Sequence, residues 1–252
     1  MTEWDARSYH RLAAPQAEWG QAVLDRLPLA GDETVVDAGC GSGRVTRMLL
    51  ERLPRGKVIG VDGSASMIEE ARGALGGYGE RVDLVLSDLT DFVVAEPVDA
   101  VFSNATFHWI LDHDALFARM YEVLRPGGLM VAQCGGAGNV AELEEAILSV
   151  ARRPEFAPSF EGWSTPWYFA EPEETEDRLR AAGFQCVRPS LEERLVTPDD
   201  PRAYIESSAL AAHFERLDPE LREPFTDAVM AELPNPLILR YVRLNIDAKR
   251  PE

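Results

Sequence analysis

Three glycines, Gly39, Gly41 and Gly43, alternate directly behind an apolar run that closes on an acid: "VVDAGCGSGRVT", residues 35–46. Each glycine costs backbone entropy on folding, and a tight turn needs only one. Three of them between a short buried strand and an amphipathic run predict a strand–turn–helix unit whose main chain is approached closely by something other than protein. Such a unit requires a sheet to belong to, and the following residues supply it.

"RVTRMLLERL" reads as a helix stopped by Pro54. "KVIGVDGS" is a second buried strand ending on Asp62, and "SASMIEEARGAL" a helix with Ser64 as its N-cap. "VDLVLSDL" and "VDAVFSNAT" are further strands, and "HDALFARMYEVL" is a helix with Leu116, Met120 and Leu124 in register. "RPGG" then turns into the strand "LMVAQCGG". Upstream, residues 16–27 place Trp19, Val23, Leu24 and Leu27 on one helical face. Strands alternating with helices predict an α/β fold with a parallel sheet covered on both faces. Right-handed crossovers make it doubly wound.

After residue 137 the pattern loosens. "AGNVAELEEAILSVARR" is helical, residues 154–172 are rich in proline and aromatics, "EPEETEDRLRAAGF" is a helix, and "QCVRPS" is a strand. Residues 198–235 read as helices broken by Pro219, Pro224, Pro234 and Pro236, and "LILRYVRLNI" as a last strand. With no repeat and no linker, residues 1–252 read as one domain. N-terminal lid helices occupy 1–30 and the ligand-binding core 31–136. The remaining core elements span 137–252, with helical caps inserted near 137–170 and 198–235.

Composition narrows the function. Hydrophobic residues make up 46% of the chain, but no apolar run approaches a membrane span. Glu3, Asp5, Glu18 and Asp25 interrupt the first thirty residues, against a signal peptide. The expectation is a cytoplasmic protein with no membrane partner. Cys40, Cys134 and Cys186 lack CxxC spacing or a histidine cluster, which argues against disulfides and a metal site. A formal charge of −18 disfavours nucleic acid, whose phosphates such a surface repels.

In an open parallel sheet the ligand crevice lies beyond the carboxyl ends of the strands. Asp37 to Gly43, Asp62, Asp88 and Asn104 all fall at predicted strand ends, so they should gather along one rim. A nucleotide-triphosphate loop needs GxxxxGK, which is absent, and a dinucleotide site prefers GxGxxG. Here Asp37 stands two residues before the first glycine, ill matched to a diphosphate and well matched to an ammonium group. Asp62 can accept from both hydroxyls of a ribose. Asp88 can accept from an adenine amino group while Leu89 and Met67 pack on the ring. Ammonium, ribose and adenine in that order describe S-adenosylmethionine.

The chain resembles the class I S-adenosylmethionine-dependent methyltransferases in "VVDAGCGSG", "VIGVDGS", "LSDL" and "LRPGG", in order and spacing across residues 35–134. "FSNATFHWILDHDALF" and "YHRLAAPQAEW" are similar to the branch of trans-aconitate and juvenile hormone acid methyltransferases, which esterify small carboxylic acids. The resemblance implies a Rossmann-like, mostly parallel seven-stranded sheet with helical lid insertions. It implies cofactor contacts from Asp37, Gly39, Cys40, Gly41, Gly43, Asp62, Gly63, Met67, Asp88 and Leu89, with Asn104 beside the methionine amine and the transferred methyl. Gln16 and Trp109 match the positions that grip the acceptor in the acid-methylating relatives. The chain departs from the trans-aconitate enzymes at His108 and in "QCGGAGN".

The acceptor is therefore a small molecule of open class. A carboxylate is ionised at neutral pH and needs no base. A hydroxyl or carbon acceptor would need one, and His108 would serve. His108 and Trp109 could equally be a pocket wall. Trp4, Tyr9, Trp163, Trp167 and Tyr168 are candidate lid aromatics, and Arg202, Arg240 and Arg243 candidate carboxylate ligands. A nicotinamide-dependent reductase and a non-catalytic S-adenosylmethionine-binding protein are the competing functions.

Overall fold

A computed structural model describes residues 14–252. The N-terminal lid before residue 14, with Trp4 and Tyr9, lies outside the described residues. The first described helix, α1 (Ala14–Leu24), leads into β1 (Thr34–Ala38), α2 (Arg44–Arg52), β2 (Lys57–Asp62), α3 (Ala65–Leu75) and β3 (Val82–Leu86). Then come β4 (Val98–Asn104), a 3-10 turn (Phe107–Trp109), α4 (His113–Val123) and β5 (Leu124–Gly135). The C-terminal part holds α5 (Ala141–Ala151), α6 (Pro172–Ala181), β6 (Gln185–Val196), α7 (Pro201–Ser208), α8 (Ala211–Phe214), α9 (Pro219–Glu232) and β7 (Leu239–Lys249).

The seven strands form one sheet in the order β3-β2-β1-β4-β5-β7-β6. Pairing is parallel from β3 through β5, and antiparallel between β5 and β7 and between β7 and β6. The order reverses between β1 and β4, which places the ligand crevice at their carboxyl ends.

Neighbouring residues of β1 serve opposite faces. Val35 packs with Leu49, Leu50, Leu75 and Phe102 under α1 to α3, and Val36 with Leu116, Phe117, Met120 and Leu179 under α4 and α6. That double burial is why the strand is continuously apolar rather than alternating. Caps fix the helix starts: Met67 N–H donates to Ser64 Oγ at 3.4 Å, as the sequence predicts, and Ala115 N–H to Asp112 Oδ1 at 2.9 Å. A third cluster, including Leu143, Ile147, Tyr204, Phe225 and Tyr241, joins α5, α7 and α9 to β7.

Three boundaries differ from the sequence reading. β5 begins at Leu124, so "RPGG" lies within the strand and its register against β4 shifts between Val98 and Ala100. β6 runs six residues past "QCVRPS" through "LEERLV". As an edge strand it pairs on one side only, with β7, and tolerates charged side chains that conceal it in sequence. Pro224 does not break its helix: Pro219 opens α9, and Pro224 sits inside it. As its sixth residue Pro224 leaves the Glu220 carbonyl without the usual helical donor, yet the helix continues to Glu232, where Phe225, Thr226 and Val229 are buried. Among the described residues no helix is long and apolar enough to cross a membrane.

Candidate cofactor and acceptor site

The three alternating glycines all have left-handed backbone, with φ of +84° at Gly39, +51° at Gly41 and +82° at Gly43. A side chain at any of them would be strained. Two also permit close packing. A Cβ on Gly39 would fall 2.1 Å from Thr106 Oγ1, and one on Gly43 2.9 Å from Leu75. Gly41 differs: nothing lies within 4 Å of its Cβ position, and it lines a cavity of about 550 Å³. The volume is in the usual range for a small-molecule site. The loop is pinned from below, because the N–H groups of Gly39 and Cys40 both donate to Val61 O, at 2.8 and 3.0 Å.

The acids stand at the strand ends. Asp37 is buried and accepts from Thr46 Oγ1 at 2.7 Å. Burial pushes its pKa up to about 7; the Thr46 hydroxyl opposes this and nearby Asp62 adds to it. Asp62 accepts from Gly41 N–H and Ser64 N–H, each at 2.9 Å, one on each carboxylate oxygen. Burial raises its pKa, and those backbone donors hold it back. Each Asp62 oxygen keeps a second lone pair for a ligand. Asp88 Oδ1 accepts from the Thr90 N–H and hydroxyl at 2.9 and 2.8 Å, which fixes the loop after β3.

The same cavity is lined by Asp37, Asp62, Asp88, Met67, Leu89 and Asn104, together with Gly39, Cys40, Gly41 and Gly63. The predicted rim is therefore one continuous surface. Gly43 is not on it and packs α2 against α3. After Asn104 the chain makes a strained step, with Ala105 at φ +60° and its N–H donating to Gln133 O at 2.7 Å. Thr106 then reaches back to Gly39 O and Asn104 O, at 3.3 and 3.2 Å. An open main-chain cradle, one buried and one half-buried carboxylate and an apolar slot between Met67 and Leu89 fit the tail, ribose and base of an adenosyl sulfonium.

Beyond Asn104 the cavity continues under the cap. His108 is buried, and Gly135 N–H donates to its Nδ1 at 3.2 Å. An accepting Nδ1 leaves the ring proton on Nε2. Burial holds the His108 pKa well below the ordinary value, and the Arg243 guanidinium and His113 lower it further. Its ring lies 5.1 Å from Trp109 and 5.7 Å from Phe169. Trp109 meets Trp167 edge to face at 5.7 Å, and Trp167 Nε1–H donates to Glu144 Oε1 at 2.9 Å. Gln16 lies in α1, but its side chain is outside the described residues.

Of the three candidate arginines, the structure brings one to the cavity. Arg243, on β7, is 3% exposed and lies 5.0 Å over the Trp19 ring. Its Nε donates to Gln133 Oε1 at 3.3 Å, and Gln133 Nε2 to Asn245 Oδ1 at 2.8 Å. Arg240 is exposed and faces Glu193, and Arg202 is held by Asp227 and Glu206. Trp163 packs on Phe160 and His213, and Tyr168 on His113, away from the cavity. Sequence reasoning missed Thr46, Thr106, Gln133 and Glu144. Of these only Thr46, nine residues after Asp37 and in the first turn of α2, offered a signal through its spacing.

Comparison with known proteins agrees with this geometry. Residues 35–128 match the family model described as a methyltransferase domain. A trans-aconitate 2-methyltransferase of Azoarcus sp. (strain BH72) is 40% identical over 133 residues, 53% of this chain and 51% of that protein. One from Methylobacterium radiotolerans is 28% identical over 234 residues, 90% of this chain and 88% of that protein. The chain thus spans about half the length of the first curated relatives it matches, and most of the length of others. In fold it superposes on phosphoethanolamine N-methyltransferase 2 of Haemonchus contortus with a TM-score of 0.64, at 20% identity, covering 98% of this chain and 57% of that one. A glycine cradle, acids at three strand ends and a sheet of this order accompany the matched region: residues 35–128 carry a methyltransferase domain, on the Rossmann-like fold of class I methyltransferases, whose cofactor is S-adenosylmethionine.

Proposed function

We propose that the protein transfers a methyl group to a carboxylate oxygen of a small-molecule acid. The observation that carries this reading is the hydrogen bond from Gly135 N–H to His108 Nδ1. It occupies the ring's only lone pair, so the imidazole can donate from Nε2 but cannot take a proton. The buried Arg243 charge further opposes protonation. With His108 unable to act as the base, the site favours an acceptor that arrives ionised, and a carboxylate does so at neutral pH. The family resemblance to trans-aconitate methyltransferases supports the same chemistry.

S-adenosylmethionine supplies an electrophilic methyl on a sulfonium. The open main chain around Gly39, Cys40 and Gly41 would hold its amino-acid tail, with Asp37 and Asn104 toward the ammonium. Asp62 would clamp the ribose diol, and Asp88, Met67 and Leu89 the adenine. On the acceptor side, Arg243 and His108 Nε2–H would fix one carboxylate so that an oxygen points along the line of displacement. Trp109 would close the chamber against water, with Gln16 a further acceptor ligand. When bound, the cofactor would give its methyl to the carboxylate oxygen and keep the carbon–sulfur electron pair on sulfur, the chain's own residues supplying alignment alone. No proton moves.

Incubating the protein with labelled cofactor and matched pairs of acids and alcohols, followed by mass analysis, tests the reading. Methyl esters are expected, and His108→Gln, which keeps an N–H donor, should retain turnover within about tenfold. Loss of a general base costs about a hundredfold or more. Ethers in place of esters, with His108→Gln inactive, would overturn carboxylate methylation.

A further inference from the structure

The acceptor chamber is built more narrowly than carboxylate methylation alone requires. Its polar end is Arg243, aligned by the Gln133–Asn245 pair that bridges β5 and β7. From there the wall is Trp109, Trp167, Phe169, Leu143, Ile147 and Tyr241. Those rings are fixed in place. Trp167 stands edge to face on Trp109, lies nearly parallel to Phe169 at 6.2 Å and 25°, and is tied by its indole N–H to Glu144. Phe169 lies so close over the backbone that a Cβ on Gly135 would fall 2.6 Å from it. Glu144 itself lines the chamber, placing a carboxylate on the part of the wall that α5 supplies.

We infer that the acceptor is a monocarboxylic acid with an extended apolar body: its carboxylate meets Arg243, its body lies along the aromatic and aliphatic wall, and Glu144 disfavours a second anionic group. The inference rests on the carboxylate reading and goes beyond it by selecting among acids. A single carboxylate at the buried guanidinium makes a charge-assisted pair. A second one further out would lose its water against Trp109, Ile147 and Leu143 and meet Glu144 at like charge. An apolar chain at the same place gains from burial, which for each added methylene corresponds to about a fourfold increase in kcat/KM until the chamber is filled.

The test uses the full chain, S-adenosylmethionine, straight-chain acids of increasing length, α,ω-diacids of matched length, and trans-aconitate as a tricarboxylate. Expected are methyl esters of the monoacids with kcat/KM rising with length, and diacids and trans-aconitate poorer by at least about thirtyfold. Glu144→Gln keeps an acceptor for the Trp167 indole while removing the charge, so it should narrow the mono- to diacid ratio severalfold. A ring-positioning role alone would leave that ratio unmoved. Arg243→Met should lower ester formation a hundredfold or more while the cofactor dissociation constant stays within twofold. Preference for trans-aconitate or the diacids, or kcat/KM independent of length, would overturn the inference and leave ester formation standing. Ethers from alcohols with no ester from any acid would overturn both.

Discussion

The two halves of the cavity are made in different ways. The cofactor rim is assembled from loops, each following its own strand, and its contacts come from backbone N–H groups and short acids within a few residues of a turn. The chamber under the cap is assembled from side chains on α1, α5, β7 and the loop between α5 and α6, brought together only by packing. The rim is stiff, because Gly39, Gly41 and Asp62 are tied to β2 and to one another. The chamber relies on interlocked rings and one buried arginine. A common cofactor can be served by the first kind of site, while the second is free to vary with the acceptor.

If the halves are separate, damage to the rim should leave acceptor choice unchanged. The largest effect is expected for Gly39→Ala, whose Cβ would meet Thr106 and whose φ of +84° resists any side chain. It should cost about 3 kcal/mol of stability, read as a lower thermal midpoint, and should abolish cofactor binding. A variant as stable as the native protein would show that the loop is slack. Asp62→Ala should weaken cofactor binding by about 1.5–3 kcal/mol in calorimetry, with the ranking of acceptors preserved. A changed ranking would show that rim and chamber act as one unit.

The smallest effect sharpens the description of the rim. Asp37, with its pKa pushed up to about 7, is largely protonated at pH 6 in the ligand-free protein. An ammonium ligand prefers the ionised carboxylate, so affinity should rise about tenfold between pH 6 and 7.5, with proton release on binding below pH 7. The stability sign is opposite: a raised carboxyl pKa means that folding of the ligand-free protein loses free energy as pH climbs from about 4 through 7. Calorimetry in two buffers of different ionisation enthalpy checks both. Affinity independent of pH across that window would remove Asp37 from the ammonium.

Legibility followed the same division. Gly39, Gly41, Asp37, Asp62 and Asp88 could be placed on one rim from the sequence, because strand ends in a parallel sheet converge by construction. Asp88 shows the limit of such reading, since its observed hydrogen bonds are to Thr90. Among three equivalent-looking arginines, nothing in the pattern separated Arg243 from Arg240. They stand three residues apart on β7 and so face opposite sides of the sheet, and only the packing of the cap decides that the Arg243 side is the buried one. "LEERLV" was illegible as a strand because an edge position relaxes the demand for apolar residues.

Periodicity, strand-end acids and alternating glycines were enough to specify the sheet and to gather the rim proposed for the cofactor, since these depend on neighbours a few residues apart. Which arginine is buried, which nitrogen of His108 carries the proton, and which rings wall the chamber depend on groups far apart in the chain, such as Gly135 against His108 and Gln133 against Arg243. Local spacing carries no record of such encounters, because packing of the cap against β5 and β7 creates them only when the chain has closed.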